Sequence, residues 1–225
     1  MTVQTGNRER AATRWGAAAG IAFVVVFFAG LMLLGTPEGE APASEWEAWY
    51  DDSGNRSRAI LAMLFVVISG FAFLWFASSL RTRLRSPAEQ LRTMAASTAL
   101  LFTTMVMIAG VVFGSVAGQV EFGDATVPSG DTISTIEQLG WGLLMVAGGF
   151  SAAVFVATVS VLGRRTGVFP GWLTYVGYVA AVLLVFSFMW FPFAAVLIWV
   201  LAVSISSLAS PSGSGAGAAR SPAVG

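Results

Sequence analysis

The chain has 225 residues, 56% of them hydrophobic and only 11% charged, with a mean hydropathy of +0.77. Soluble domains carry about 25% charged residues, so a freely soluble globular domain is excluded and a polytopic membrane protein is indicated. Bases and acids balance at 12 each, every base is Arg, and His, Cys and Lys are absent, which removes disulfides, thiolates, imidazole bases and Schiff bases.

Residues 1–14 are polar, with Arg8, Arg10 and Arg14 against Glu9. The first apolar run covers 15–35, enough to cross about 30 Å of hydrocarbon at about 1.5 Å per residue. A cleaved signal peptide is the rival reading, because Ala41-Pro42-Ala43 resembles a small-residue cleavage site. The run is longer than a usual signal core of about 7–15 residues, and a retained first helix is therefore expected.

An acidic loop follows over residues 36–58, with Glu38, Glu40, Glu45, Glu47, Asp51 and Asp52 beside Trp46, Trp49 and Tyr50. Arg56 and Arg58 close it, and the second span is read at 59–80. Arg81, Arg83 and Arg85 then give a strong cytoplasmic signal. Ser86-Pro87-Ala88-Glu89 reads as a capping box with Pro at the first helical position, so the third helix should start before its apolar part at 93–118.

Gly110, Gly114 and Gly118 recur every four residues and fall on one face of that helix, where another backbone could approach closely. Packing inside the bundle is the ordinary role of such a face, and dimerisation is the alternative. A second acidic loop carries Glu121, Asp124 and Asp131, and Ser134-Thr135-Ile136-Glu137 reads as a further capping box. The fourth span, at 139–162, is rich in Gly and Ala and is the expected partner of the glycine face.

Gly163 to Trp172 reads as a short cytoplasmic turn around Arg164, Arg165 and Pro170. The fifth and sixth spans are read at 170–190 and 193–208, joined by a turn at Phe191-Pro192-Phe193. The 209–225 tail of Ser, Gly, Ala and Pro is read as disordered and cytoplasmic. The expected architecture is thus an all-α bundle of six transmembrane helices, one domain over 15–208, with both termini cytoplasmic. On that arrangement Arg gathers inside and the acids gather outside.

No ionisable residue falls inside these apolar spans, which argues against ion-coupled pumps and proton relays. Asp51, Asp52, Asn55, Arg56 and Arg58 form the candidate outer cluster, for structural pairing or for binding an anion or lipid headgroup. Asp51-x-Ser53-x-Asn55 looks like the start of a calcium loop, but Arg56 stands where Gly is needed and Ala62 where Glu is needed. Asn55-Arg56-Ser57 fits a glycosylation pattern that matters only in a eukaryotic secretory route. Trp46, Trp49, Trp172 and Trp190 read as interface anchors.

Several pieces resemble a group of actinobacterial polytopic membrane proteins of unassigned activity. They are Tyr50-x3-Gly54-Asn55-Arg56-x-Arg58-Ala59, Phe73-Leu74-Trp75-Phe76 with Arg81-x-Arg83-Leu84-Arg85, Gly149-Phe150, Thr166-Gly167-x2-Pro170-x-Trp172-Leu173, and Phe191-Pro192 with Trp199-Val200. The resemblance implies a multi-pass protein of the bacterial plasma membrane and transfers no catalytic role. Expected first is a non-enzymatic protein that contacts lipid or a membrane partner. A small permease or exporter of an apolar or weakly polar substrate is the alternative, and an enzyme with a carboxylate–metal site in the outer loops comes third. No cofactor and no nucleic acid is expected; the bilayer, a second copy or another membrane protein are the expected partners.

Overall fold

Hydrocarbon offers the backbone no hydrogen bonds, so an apolar run that crosses it satisfies its own amides as a helix. A computed structural model describes residues 2–84 and 88–209, with side chains from residue 13 onward. Its helices are α1 (Thr2–Leu34), α2 (Ala43–Asp51), α3 (Ser53–Arg83), α4 (Glu89–Phe122), α5 (Gly130–Gly142), α6 (Gly149–Thr166), α7 (Gly171–Val185) and α8 (Ala194–Ala209). A π-helical segment, Leu143–Gly148, joins α5 to α6 without a break. Five helices are long and apolar enough to span a membrane, while α7 is a shorter apolar helix of 15 residues.

The helices pack as a closed circuit: α1 on α3, α3 on α4, α4 on α6, α6 on α7, α7 on α8, and α8 back on α1. Aromatic rings fill its middle. Phe73 meets Phe23 at 5.0 Å, Phe102 at 4.6 Å and Phe155 at 5.4 Å between ring centroids. Phe193 and Trp199 extend the contacts to α8 and the turn before it. Edge-to-face geometry favours such rings beyond their packing alone.

Four close approaches pair a glycine with a serine. An added Cβ would meet serine Oγ at 2.0 Å for Gly16 and Ser79, and at 2.2 Å for Gly20 and Ser204. The same test gives 1.9 Å for Gly177 and Ser160, and 1.7 Å for Gly149 and Ser187. Small residues at these crossings let the backbones come close enough for dispersion to hold the helices in lipid.

One helix end follows sequence chemistry closely, and another helix starts later than its capping box implied. α6 carries Arg164 and Arg165 in its last turn, where cations meet the negative end of the helix dipole, and Gly167 closes it at φ 67°. α4 starts at Glu89, ahead of its apolar part, with Ala88 as N-cap and no side-chain cap bond; Ser86 and Pro87 of the expected capping box lie outside the described residues.

Other boundaries differ from expectation. The second capping box does not form, because α5 starts at Gly130 and Ser134 sits inside the helix. The fifth helix ends at Val185, not at 190, and two short 3-10 turns lead to α8. Just past that end the Ser187 hydroxyl donates to the Met145 carbonyl in the π segment. Trp190 holds φ 70° and ψ −69°, a γ-turn conformation rare for a bulky residue, and stacks on Trp141 at 4.0 Å. The polar residues from Thr2 continue α1 as helix. The tail expected to be disordered lies outside the described residues from position 210.

The contact at Gly149 generates a stability prediction. Gly149→Ala forces Ser187 away and should cost about 1–3 kcal/mol, the range for overpacking a tight core. Ser187→Gly made in the same chain should recover part of that loss, read as a smaller fall in detergent-solubilised Tm than the two single changes predict together.

Candidate functional site

Charge is divided between the ends of the bundle. Arg14, Arg81, Arg83, Arg92, Arg164 and Arg165 stand at one end with Glu89, while α2, the loops around it, the end of α4 and α5 with the loop before it gather, at the opposite end, the other acids whose side chains are described. The candidate cluster belongs to that acidic end, and α2 organises it.

Helix α2 lies over the end of the bundle because Trp46 and Tyr50, one turn apart, share a face. Both are buried with Ala59, Val116, Ala117 and Ile133 from α3, α4 and α5. Gly130 at the start of α5 admits the Ala43 carbonyl, which an added Cβ would meet at 2.0 Å. The Gly130 amide donates to Glu47 Oε1 at 2.8 Å, so a carboxylate from α2 covers the positive end of α5.

Beneath this cover the Tyr50 hydroxyl donates to Glu137 Oε1 at 2.7 Å. Glu137 is only 2% exposed, and its Oε2 has no hydrogen-bond partner, nor has the buried Trp46 Nε1. Burial raises the Tyr50 phenol above its ordinary value of 10.0, and the charge and hydrogen bond of Glu137 add to the rise.

Arg56 is the hub between elements. Its Nη1 donates to the carbonyls of Tyr50 at 2.8 Å and Asp51 at 2.9 Å, while Nε pairs with Glu121 Oε2 at 2.9 Å. One side chain therefore ties the end of α2 to α3 and to the end of α4. Asp52 caps α3 by accepting from the Asn55 amide at 2.9 Å, and Asn55 Nδ2 donates to the Trp49 carbonyl at 3.1 Å.

The five expected residues thus divide. Asp52, Asn55 and Arg56 join in one network, to which Asp51 contributes its carbonyl. Arg58 stands apart, exposed, with its Nη2 where an added Cβ on Gly35 would lie 2.7 Å away, just past the end of α1. Among the described residues, no group of three or more acidic side chains is placed to hold a metal ion.

The glycine face also divides. Gly110 faces Val66 and Gly114 faces Met63, both on α3 and neither on the fourth span, whereas Gly118 has nothing within 4 Å of an added Cβ. Trp46 is a packed core residue, not an interface anchor, while Trp172 and Trp190 are each 55% exposed. Sequence reasoning expected Arg56 to pair with an acid of the first or second outer loop, which Glu121 of the second is, and passed over Tyr50, Glu47 and Glu137 as partners. The i, i+4 spacing of Trp46 and Tyr50 was the available signal for a buried face; nothing local marks Glu137, which lies 87 residues from Tyr50.

At the arginine end, a cavity of about 330 Å³ opens between α3, α4 and α6, walled by Ala77, Ala95, Ala96, Ala99, Phe155 and Val159 with Arg81 and Arg92 on its lining. A shallower apolar hollow lies between α7 and α8, around Val179, Leu183 and Ile198.

No family model matches the sequence, and the searches of curated proteins and of solved structures find no match. The resemblance to an actinobacterial group gains nothing from these comparisons. A polytopic, largely helical membrane protein is what stands.

Removing the Tyr50 hydroxyl should leave both carboxyl oxygens of Glu137 buried without partners. Tyr50→Phe is expected to cost about 2 kcal/mol, in the range for hydrogen bonds to charged groups. Tyr50→Phe with Glu137→Leu should cost less than the sum of the single changes, because the orphaned polar group is gone. A raised phenol value means that the wild type keeps this contribution below about pH 10 and loses it as pH climbs towards the folded value. Alkaline melts should show that loss in the wild type and not in Tyr50→Phe.

Proposed function

We propose that this is a non-enzymatic membrane protein that works by holding a lipid or a membrane partner, not by carrying a solute. The aromatic packing of Phe23, Phe73, Phe102, Phe155 and Trp199, all fully buried across the middle of the bundle, is the observation that carries this reading. A solute path would have to displace those rings. The fastened α2 cover supports the same reading, since Tyr50 and Glu47 tie it to α5 and Arg56 ties it to α3. The apolar runs carry hydroxyls and indole N–H groups and no Asp, Glu, Lys, Arg or His, which suits contact better than acid–base chemistry.

One observation favours the permease reading. Ser160, Thr174, Ser204 and Trp199 each hold a buried polar atom without a hydrogen-bond partner, and Ser160 and Trp199 both lie against Gly177 of α7. Unpaired buried hydroxyls between helices are what a path for a weakly polar substrate would use.

Native mass spectrometry of the chain released from native membranes separates the two. A reproducibly bound lipid or second polypeptide is expected; a bare monomer that transports a solute in proteoliposomes would overturn the proposal.

We further propose six crossings, α7 included, with both termini on the cytoplasmic face of a bacterial plasma membrane. The charge division supports this orientation through the preference of Arg for the cytoplasmic side. The chain has no cysteine, so single cysteines can report it. Glu38→Cys, Asp124→Cys and Met189→Cys should react with an impermeant maleimide in intact cells, and Arg165→Cys only after permeabilisation. Protection of Met189→Cys in intact cells, with labelling after permeabilisation, would remove α7 from the crossings.

A further inference from the structure

The two ends of the bundle treat their charges differently. At the acidic end, Arg56 is fully engaged and Glu47 and Glu137 each have a partner. At the opposite end, Arg81 has no hydrogen bond or ion pair among the described residues. Arg92 Nε is buried without a partner, and its nearest carboxylate oxygen, on Glu89, is 3.7 Å from Nη1. A buried guanidinium nitrogen without an acceptor is costly unless an anion completes it.

Both arginines line the cavity between α3, α4 and α6. Arg92 and Leu100 lie eight residues apart along α4, about 12 Å of helix, and Arg81 and Leu74 about 10 Å apart along α3. From the charged rim the hollow runs inward over Ala95, Ala96 and Ala99, whose small side chains leave its volume open. Leu74 and Leu100, both exposed, edge it where the helices face the surrounding hydrocarbon. At about 330 Å³ it falls within the ~300–1,000 Å³ range of small-molecule sites.

From this geometry we infer that the α3–α4–α6 hollow is a site for an anionic phospholipid, its phosphate between Arg81 and Arg92 and one acyl chain along the alanine wall. The inference rests on the lipid-holding reading above and deepens it. Charge complementarity selects the occupant. At the rim Arg81 is without a partner among the described residues, and Arg92, held only by the exposed Glu89 at 3.7 Å, keeps a buried Nε without an acceptor, so an anion is called for. An apolar trough of about 10 Å behind them calls for a chain attached to it. A free phosphate satisfies only the rim, and an uncharged lipid only the trough. Arg presents a planar fork that grips phosphate oxygens two at a time, which makes Arg92 Nε a natural donor.

The test uses the full chain in nanodiscs of equimolar phosphatidylcholine and phosphatidylglycerol, with bound lipid read by native mass spectrometry. The wild type should retain phosphatidylglycerol over phosphatidylcholine by about tenfold or more, and the Arg81→Gln/Arg92→Gln protein should lose that preference. Ala96→Trp, which fills the trough, should release both lipids; Ala96→Leu repeats the test with a smaller side chain if the tryptophan unfolds the bundle. Arg164→Gln/Arg165→Gln, at the same end but off the hollow, should keep the preference.

Equal losses in the two arginine pairs would reduce the effect to a general basic surface and overturn the site. Displacement by excess inorganic phosphate would overturn the need for a lipid. If a ligand from native membranes persists in both Arg81→Gln/Arg92→Gln and Ala96→Trp, the site falls and the broader reading survives. If the wild type retains none, both fall.

Discussion

In hydrocarbon a helix gains little by hiding apolar side chains from a solvent that is already apolar, so what holds this bundle is how closely its backbones approach. The glycine–serine crossings set that distance. Gly16 on Ser79 and Gly20 on Ser204 seat α1 against α3 and α8, and Gly177 on Ser160 seats α7 against α6. Each serine occupies the space that a glycine leaves. The phenylalanine core depends on these crossings, because its rings meet only when the helices around them are drawn in.

Gly149 and Ser187 do more than pack. The Ser187 hydroxyl, just past the end of α7, donates to the Met145 carbonyl within the π segment. From there the chain turns through Phe191-Pro192-Phe193 into α8. The strained Trp190 backbone is held there by the stack on Trp141, itself packed on Phe113. The π segment of one helix and the end of another are thus joined by one contact, between segments more than forty residues apart in sequence.

This explains where the sequence could be read and where it could not. Apolar runs are local, so the positions of the helices follow from composition and spacing; the turn read at Gly163–Trp172 is shorter, because Arg164 and Arg165 complete the last turn of α6. Partner choice is not local. Gly110 and Gly114 announce a close approach, yet the choice of Met63 and Val66 over the Gly-rich fourth span comes from the circuit of helices. Glu137 occupies the right place in a capping motif, and the motif yields because Tyr50, far away in the chain, offers a buried hydroxyl and Gly130 starts the helix a turn earlier. Asp52 and Asn55, by contrast, act within a few residues of themselves, and their place in the cluster was legible.

The division of charge gives these pieces a direction. Acids and arginines at the α2 end spend their hydrogen bonds on one another, on backbone carbonyls and on the start of α5, so that end is a fastened cover. The arginines at the other end have scarcely any acid to meet, with Glu89 alone among the residues there whose side chains are described. Paired charges mostly fix a structure, whereas unpaired ones beside an apolar hollow can take a ligand from outside the chain. If the proposed lipid or partner binding holds, its contacts are accordingly to be sought at the arginine end, where the hollow lies.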